Sequence, residues 1–257
     1  MRKLNLVTDI GNTSISVGFF DGDTLINVAR YKSKDFQIDE YVDFLKKNIK
    51  ENKIEEKEVS DGIISSVVPK LSRLVQICLS NIFDIEFPFL KQEDNKIIKL
   101  DVDEPSSVGG DLIGDIVAAK TIYSYPTIVV DLGTLTKVLI INEKGDFDRA
   151  GFFAGMRLSL DAMNSGAALI PELAHIEYPN DIFGKNTVDA MKAGVYYSTA
   201  AAIARLADVR EELVGKGTKI VLAGGYAELI SKYVSGTIID PNLCLKGLNI
   251  LVQEKNK

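Results

Sequence analysis

A chain of 257 residues, 46% apolar and 26% charged, has the composition of a packed globular protein and excludes a largely disordered or collagen-like one. Its formal net charge of −6 offers no broad basic face of the kind that drives nucleic-acid binding. No apolar run reaches the ~18 residues needed to span a bilayer, and Met1, Arg2 and Lys3 lead straight into a short strand, leaving no room for a signal peptide.

In chain order, residues 4–9, 14–20 and 24–31 read as three strands of an antiparallel meander. They are joined by the turn V-T-D-I-G-N-T, Val7 to Thr13, and by the hairpin signal Phe20-Asp21-Gly22-Asp23. Residues 39–52 carry Tyr41, Val42, Leu45 and Ile49 at helical spacing among charges, the pattern of an amphipathic helix. A strand over 62–68, a helix opened by Pro69 and a short apolar strand within 82–90 complete the order β-β-β-α-β-α-β. The charge-rich stretch 51–58 reads as a solvated helix end. After the polar stretch 101–107, a helix over about 110–123 links to a second half that restarts the order. There, strands are expected at 127–131, 136–142 and 147–153, with Glu143-Lys144-Gly145-Asp146 as a turn. Helices near 156–168 and 187–214, a buried strand over 219–223 ending in Gly224-Gly225, and a last helix over 243–253 follow. His175, the only histidine, sits beside Pro171, Glu172 and Tyr178 and reads as part of a surface loop. Cys78 and Cys244 show no C-x-x-C spacing and read as two reduced thiols, which fits a cytoplasmic location.

The two halves share one feature that carries chemistry. V-T-D-I-G-N-T is matched by V-V-D-L-G-T-L, Val129 to Leu135, with Asp9 and Gly11 falling on Asp131 and Gly133 at one common offset. The duplication divides the chain into domains at 1–118 and 119–257, with the final helix able to pack back on the first. Each turn sets an acid, a glycine and a hydroxyl residue between strands: Asp9, Gly11, Asn12 and Thr13 in one, Asp131, Gly133 and Thr134 in the other. Glycine lets backbone N–H groups approach phosphate oxygens, hydroxyls donate hydrogen bonds, and the carboxylates of Asp9 and Asp131 suit a divalent cation such as Mg2+. A lone D-x-G is common in surface hairpins, so the weight lies in the duplication and in Gly224-Gly225 after a later strand.

Two such turns resemble the phosphate signature of the actin, hexokinase and Hsp70 superfamily. The resemblance implies an α/β fold of two tandem RNase H-like (actin-like ATPase) domains, each a mixed sheet flanked by helices, with an ATP cleft between them and Gly224-Gly225 at the adenosine end. Within that superfamily, Asp9 to Thr13, Ser65-Ser66-Val67-Val68-Pro69, Asp103 to Asp111, Asn186-Thr187 with Gly194-Val195-Tyr196, and Leu245-Lys246-Gly247-Leu248 resemble successive motifs of the type III pantothenate kinases, in order along nearly the whole chain. That family implies ATP-dependent phosphorylation of pantothenate, the first step of coenzyme A biosynthesis, with ATP and Mg2+ or another divalent cation. It implies Asp111 as general base, Gly109 and Gly110 at the substrate, and Thr187 reaching a neighbouring subunit's pantothenate site in a homodimer. No nucleic acid or membrane partner is expected.

The chemistry agrees, since phosphoryl transfer needs a metal-screened polyphosphate, an in-line hydroxyl and a carboxylate to take its proton. Asp111 also suits a helix N-cap. The chain departs from the family at Leu112, where the G-x-D-R motif has arginine, and at Lys137 and Leu139, where the second turn continues with threonine and an aspartate associated with a monovalent cation. Ser16 and the run Arg149 to Gly155 also differ from the family pattern. Arginine presents five donors in a planar fork and leucine presents none. Two further readings therefore stand beside the kinase of pantothenate: a nucleotide-binding paralogue with a regulatory role, and a small-molecule kinase with another acceptor.

Overall fold

Alternation of side chains decides the first sheet. In β1 (Leu4–Ile10), Leu4, Leu6 and Ile10 join a core with Tyr41, Leu45 and Ile49 of α1 (Ile38–Glu51) and Val75 and Leu79 of α2 (Pro69–Phe83). Val7 points the other way, into a cluster with Leu245, Leu248 and Val252 of the last helix, α7 (Leu243–Lys255). The period of two therefore puts Asp9 on the α7 face of the sheet, with Asn5 and Val7. Asn5 Nδ2 donates to Oδ1 of buried Asn249 on α7 at 2.9 Å.

β1 pairs antiparallel with β2 (Ser14–Asp21), β2 antiparallel with β3 (Thr24–Lys32), and β1 parallel with β4 (Val59–Ser66), in the order β3-β2-β1-β4. Gly22, at φ 56°, supplies the left-handed backbone that the tight β2–β3 hairpin demands. Pro69 opens α2, and Asp84 closes it at φ 56° in a left-handed C-cap. The structure corrects the expected strand within 82–90: Ile82 and Phe83 finish α2, and the chain beyond makes only a parallel bridge from Phe89 to Ile64. Ile64 N–H donates to Pro88 O at 2.9 Å and Leu90 N–H to Ile64 O at 2.8 Å, but Pro88 has no N–H with which to extend the ladder.

This computed structural model describes residues 2–166 and 176–257. The chain divides into two units, Met1–Lys99 with Asp103–Thr121 and Leu243–Lys257, and Leu100–Val102 with Ile122–Asn242. In the first, α3 (Gly110–Ala118) crosses α7 at a pair of glycines, where a β-carbon on Gly247 would stand 1.8 Å from Gly114 O. The helix runs on from α3 as a π turn over Ala119–Tyr123.

The second unit repeats the pattern, with β5 (Thr127–Leu132), β6 (Leu135–Ile141), β7 (Phe147–Ala154), β8 (Lys219–Ala223) and β9 (Ile238–Ile239) in the order β7-β6-β5-β8-β9. Its central strand again runs antiparallel to the one after it and parallel to a later one. Ile128, Val130 and Leu132 pack on Met156 and Leu160 of α4 (Met156–Gly166) and on Val195, Tyr196, Ala200 and Ile203 of α5 (Thr187–Leu213). Asp131, one residue out of phase, lies on the opposite face. A short α6 (Ala227–Ser231) follows β8. Residues 167–168 of the expected helix, Pro171, Glu172 and His175 lie outside the described residues. Among the described residues no helix is long and apolar enough to cross a membrane.

Candidate functional site

The first unit gathers an acid, a hydroxyl and a helix start. Asp9 stands directly across from Ser65 in the parallel register of β1 and β4. Buried Ser65 donates its hydroxyl to Asp9 Oδ1 at 3.0 Å, and a β-carbon on Gly110 would stand 2.9 Å from the same Ser65 oxygen. Asp111 follows in the first turn of α3 and folds back over Gly109, where a β-carbon would meet Asp111 Oδ1 at 2.6 Å. The helix N-cap is Gly109, which corrects the reading of Asp111 as the cap itself. The second serine of the S-S-V-V-P stretch acts locally. Ser66 Oγ accepts from Val68 N–H at 3.1 Å and lies 2.8 Å from Ser72 Oγ, so it ties the entry of α2. Leu112, beside Asp111, is half-buried.

The loop between β1 and β2 is held by its own chain. Gly11 N–H donates to Ser14 O at 2.9 Å, while Ser33 after β3 donates its hydroxyl to Gly11 O at 2.6 Å and its N–H to Thr13 O at 3.0 Å. Asn12 and Thr13 form the exposed tip. The second loop differs in length, with Gly133 N–H donating to Leu135 O at 3.1 Å. Asp9 thus faces Ser16 across its hairpin, whereas Asp131, at the matching place, faces Lys137 after a loop one residue shorter. The shared offset of the two D-x-G turns ends at the glycine.

Around Asp131 the second unit packs tightly. Lys137 Nζ lies 2.8 Å from Asp131 Oδ2, and the two side chains are 17% and 15% exposed. Gly224 follows β8 at φ 81°, and a β-carbon there would stand 2.4 Å from Asp131 Oδ1. Backbone and space both require glycine at this place. Tyr226 N–H donates to Leu132 O at 3.3 Å and stitches the Gly224 loop to the end of β5. A β-carbon on Gly225 would meet nothing within 4 Å. Gly155 also belongs here, although the motifs alone do not single it out: its N–H donates to Thr134 O at 3.1 Å, and a β-carbon would stand 2.4 Å from Gly133 O and Thr134 O. The sequence signal for it is the glycine closing R-A-G-F-F-A-G just before α4. Leu139 is fully buried opposite Val129, in an apolar setting.

Thr187 is set apart from this cluster. It is exposed at the start of α5, where Asn186 caps the helix by accepting from Asp189 N–H at 2.9 Å and donates back to Asp189 Oδ2 at 2.7 Å. Thr187, Met163, Gly184 and Gly194 line a surface depression of about 540 Å³. Among the described residues, no three His, Cys, Asp or Glu side chains come together as a ready-made metal cage.

Comparisons with known proteins show the family and the fold. A sequence model of the type III pantothenate kinase family matches residues 5–209. The chain is 33% identical over 256 residues to a type III pantothenate kinase of Agathobacter rectalis, covering 98% of each chain. It is 34% identical over 257 residues to one of a Geobacillus species, covering 97% of each. Among solved structures, an activator of 2-hydroxyisocaproyl-CoA dehydratase from Clostridium difficile, with bound ADPNP, aligns at TM-score 0.58 and 11% identity over 98% of this chain and 95% of that one. Component A of (R)-2-hydroxyglutaryl-CoA dehydratase from Acidaminococcus fermentans aligns at TM-score 0.57 and 14% identity over 99% and 100%. Those two likenesses are of fold alone.

Proposed function

The chain belongs to the type III pantothenate kinase family, and from that premise we propose how its residues phosphorylate pantothenate with ATP, the first step of coenzyme A biosynthesis. The observation that carries the reading is the convergence of Asp9, Ser65, Gly110 and Asp111 in one unit. It sets a phosphate-turn acid beside the helix start that bears a second carboxylate.

Asp111 is the general base. It takes the proton of the pantothenate hydroxyl as that oxygen attacks the γ-phosphorus, and the first turn of a helix is a favourable place for its negative charge. Gly109 and Gly110, having no side chains, leave the acceptor access to that carboxylate. Asn12, Thr13 and Thr134 bind the phosphates through N–H and hydroxyl donors, Gly11 and Gly133, whose N–H groups close the turns on Ser14 O and Leu135 O, let the backbone approach them, and Gly224 and Gly225 serve the adenosine end. In phosphoryl transfer such positioning and electrostatics supply most of the catalysis.

A divalent cation fits Asp9, because Mg2+ is usually held by one or two carboxylates together with substrate phosphates. Bound there, it would screen the polyphosphate charge. Asp131 is the poorer ligand, with Oδ2 held by the Lys137 ammonium and Oδ1 set against Gly224.

The acceptor side is built differently from the family pattern, around half-buried Leu112. That one difference favours, as a second reading, a related small hydroxy acid as acceptor. Exposed Thr187 suits a contact with a second subunit, so a homodimer is part of the proposal, and the reduced state of Cys78 and Cys244 suits the cytoplasm.

An ATP turnover assay with pantothenate and a panel of small hydroxy acids tests the reading. Turnover with pantothenate above all others supports it, preference for another acid moves it to the second reading, and ATP binding without turnover of any acceptor refutes it. A strict monomer by light scattering at micromolar concentration removes the shared site at Thr187.

A further inference from the structure

The carboxylate of Asp131 is enclosed by its own unit. A β-carbon on Gly224 would stand 2.4 Å from Oδ1, one on Gly133 would stand 3.7 and 3.8 Å from the two oxygens, and Lys137 Nζ lies 2.8 Å from Oδ2. Strand register sets this arrangement, because Asp131 and Lys137 are directly opposed in the antiparallel pair β5–β6 and so share a face. That face is opposite the one buried by Ile128, Val130 and Leu132. Only 15% of the Asp131 side chain is exposed, and removing one partner of a buried ion pair is costly because the other charge is left uncompensated.

The first unit solves the same problem with different groups. Asp9 faces Ser16 across its hairpin and Ser65 on its parallel neighbour, where Asp131 faces Lys137 and Ala223. A serine hydroxyl holds one acid and an ammonium holds the other.

We propose that Lys137 is the built-in counter-cation of the second phosphate turn: its ammonium holds the Asp131 carboxylate in place, so the turn binds nucleotide without recruiting a free monovalent cation. Lys137 is a positioning residue that acts through Asp131. The inference rests on the reading of this hairpin as part of the ATP site. It carries a chemical corollary: truncating Lys137 leaves an anionic pocket of the size and charge that suit ammonium or potassium.

The test compares the native protein with Lys137→Ala, Lys137→Met and Lys137→Arg in choline chloride, and in potassium or ammonium chloride at the same ionic strength. ATP affinity is read by calorimetry, and melting temperature is read without nucleotide. The native protein is expected to bind ATP equally in all three salts, as is Lys137→Arg. Lys137→Ala is expected to bind roughly tenfold more weakly in choline, the size of a lost charge-assisted hydrogen bond. Potassium or ammonium is expected to restore most of that loss and to raise the variant's melting temperature without nucleotide, while Lys137→Met, whose side chain fills the pocket, is weakened but not rescued. The proposal is overturned by a native protein that needs potassium to bind ATP, by a Lys137→Ala protein that matches it in choline, or by a loss that no cation restores. If the native protein binds no ATP in any salt, the functional reading fails. The nucleotide-free melting shift of Lys137→Ala with potassium then still decides the role of Lys137.

Discussion

Ser65 donates to Asp9 at 3.0 Å, and the same hydroxyl abuts Gly110 at the start of α3, so one buried side chain touches both the phosphate turn and the helix that carries Asp111. A hydrogen bond to a charged group contributes about 1.5–3 kcal/mol. Ser65→Ala is therefore expected to lower kcat/KM for ATP by roughly tenfold or more. The change removes one small group, so the melting temperature should fall by only a few degrees. Steady-state kinetics and a thermal denaturation curve on the same preparation check both parts, and an unchanged kcat/KM would rule out the bond's contribution.

Asp111→Asn keeps the shape of the first turn of α3 and removes the base. General-base catalysis typically contributes about 10²- to 10⁴-fold, so kcat should fall within that range while ATP affinity by calorimetry stays close to native. Activity insensitive to the substitution would transfer the role of base to another group.

Leu112→Arg restores a guanidinium next to Asp111. If the acceptor pocket otherwise suits a carboxylate, KM for pantothenate should drop by about one to two decades, the worth of one charge-assisted hydrogen bond. An unchanged KM would mean that the pocket has been rebuilt around the leucine and no longer admits the cation.

Gly247→Ala forces a β-carbon to within 1.8 Å of Gly114 O and must push α7 off α3. Overpacking of this kind costs about 1–3 kcal/mol. Because α3 carries Asp111, a loss of melting temperature of several degrees should come with a loss of kcat. A variant that melts with the native protein would show that the crossing relaxes freely.

Much of the architecture was legible because it rests on local pattern. Period-two alternation located the strands of both meanders, Pro69 marked the start of α2, and Asp9 with Asp131 marked two matching turns. The expected strand within 82–90 failed because its apolar residues serve two ends: Ile82 and Phe83 complete a helix, and Pro88 interrupts the ladder. The asymmetry of the turns was hidden as well. A common offset through Gly133 says nothing about loop length, and the one-residue difference becomes visible only when Gly11 bonds Ser14 and Gly133 bonds Leu135.

From the sequence alone came what nearest neighbours along the chain determine: the elements, the duplicated D-x-G turns and the family's motifs, with Leu112, Lys137 and Leu139 as departures. Only the tertiary structure decided where Lys137 and Leu139 stand, because register, not spacing, chooses cross-strand partners. Register set Lys137 against Asp131 and buried Leu139 against Val129, and it brought Ser65 to Asp9 from 56 residues away. A pair of glycines lets α7 cross α3 closely, and Leu245, Leu248 and Val252 of α7 pack on Val7 of the first sheet.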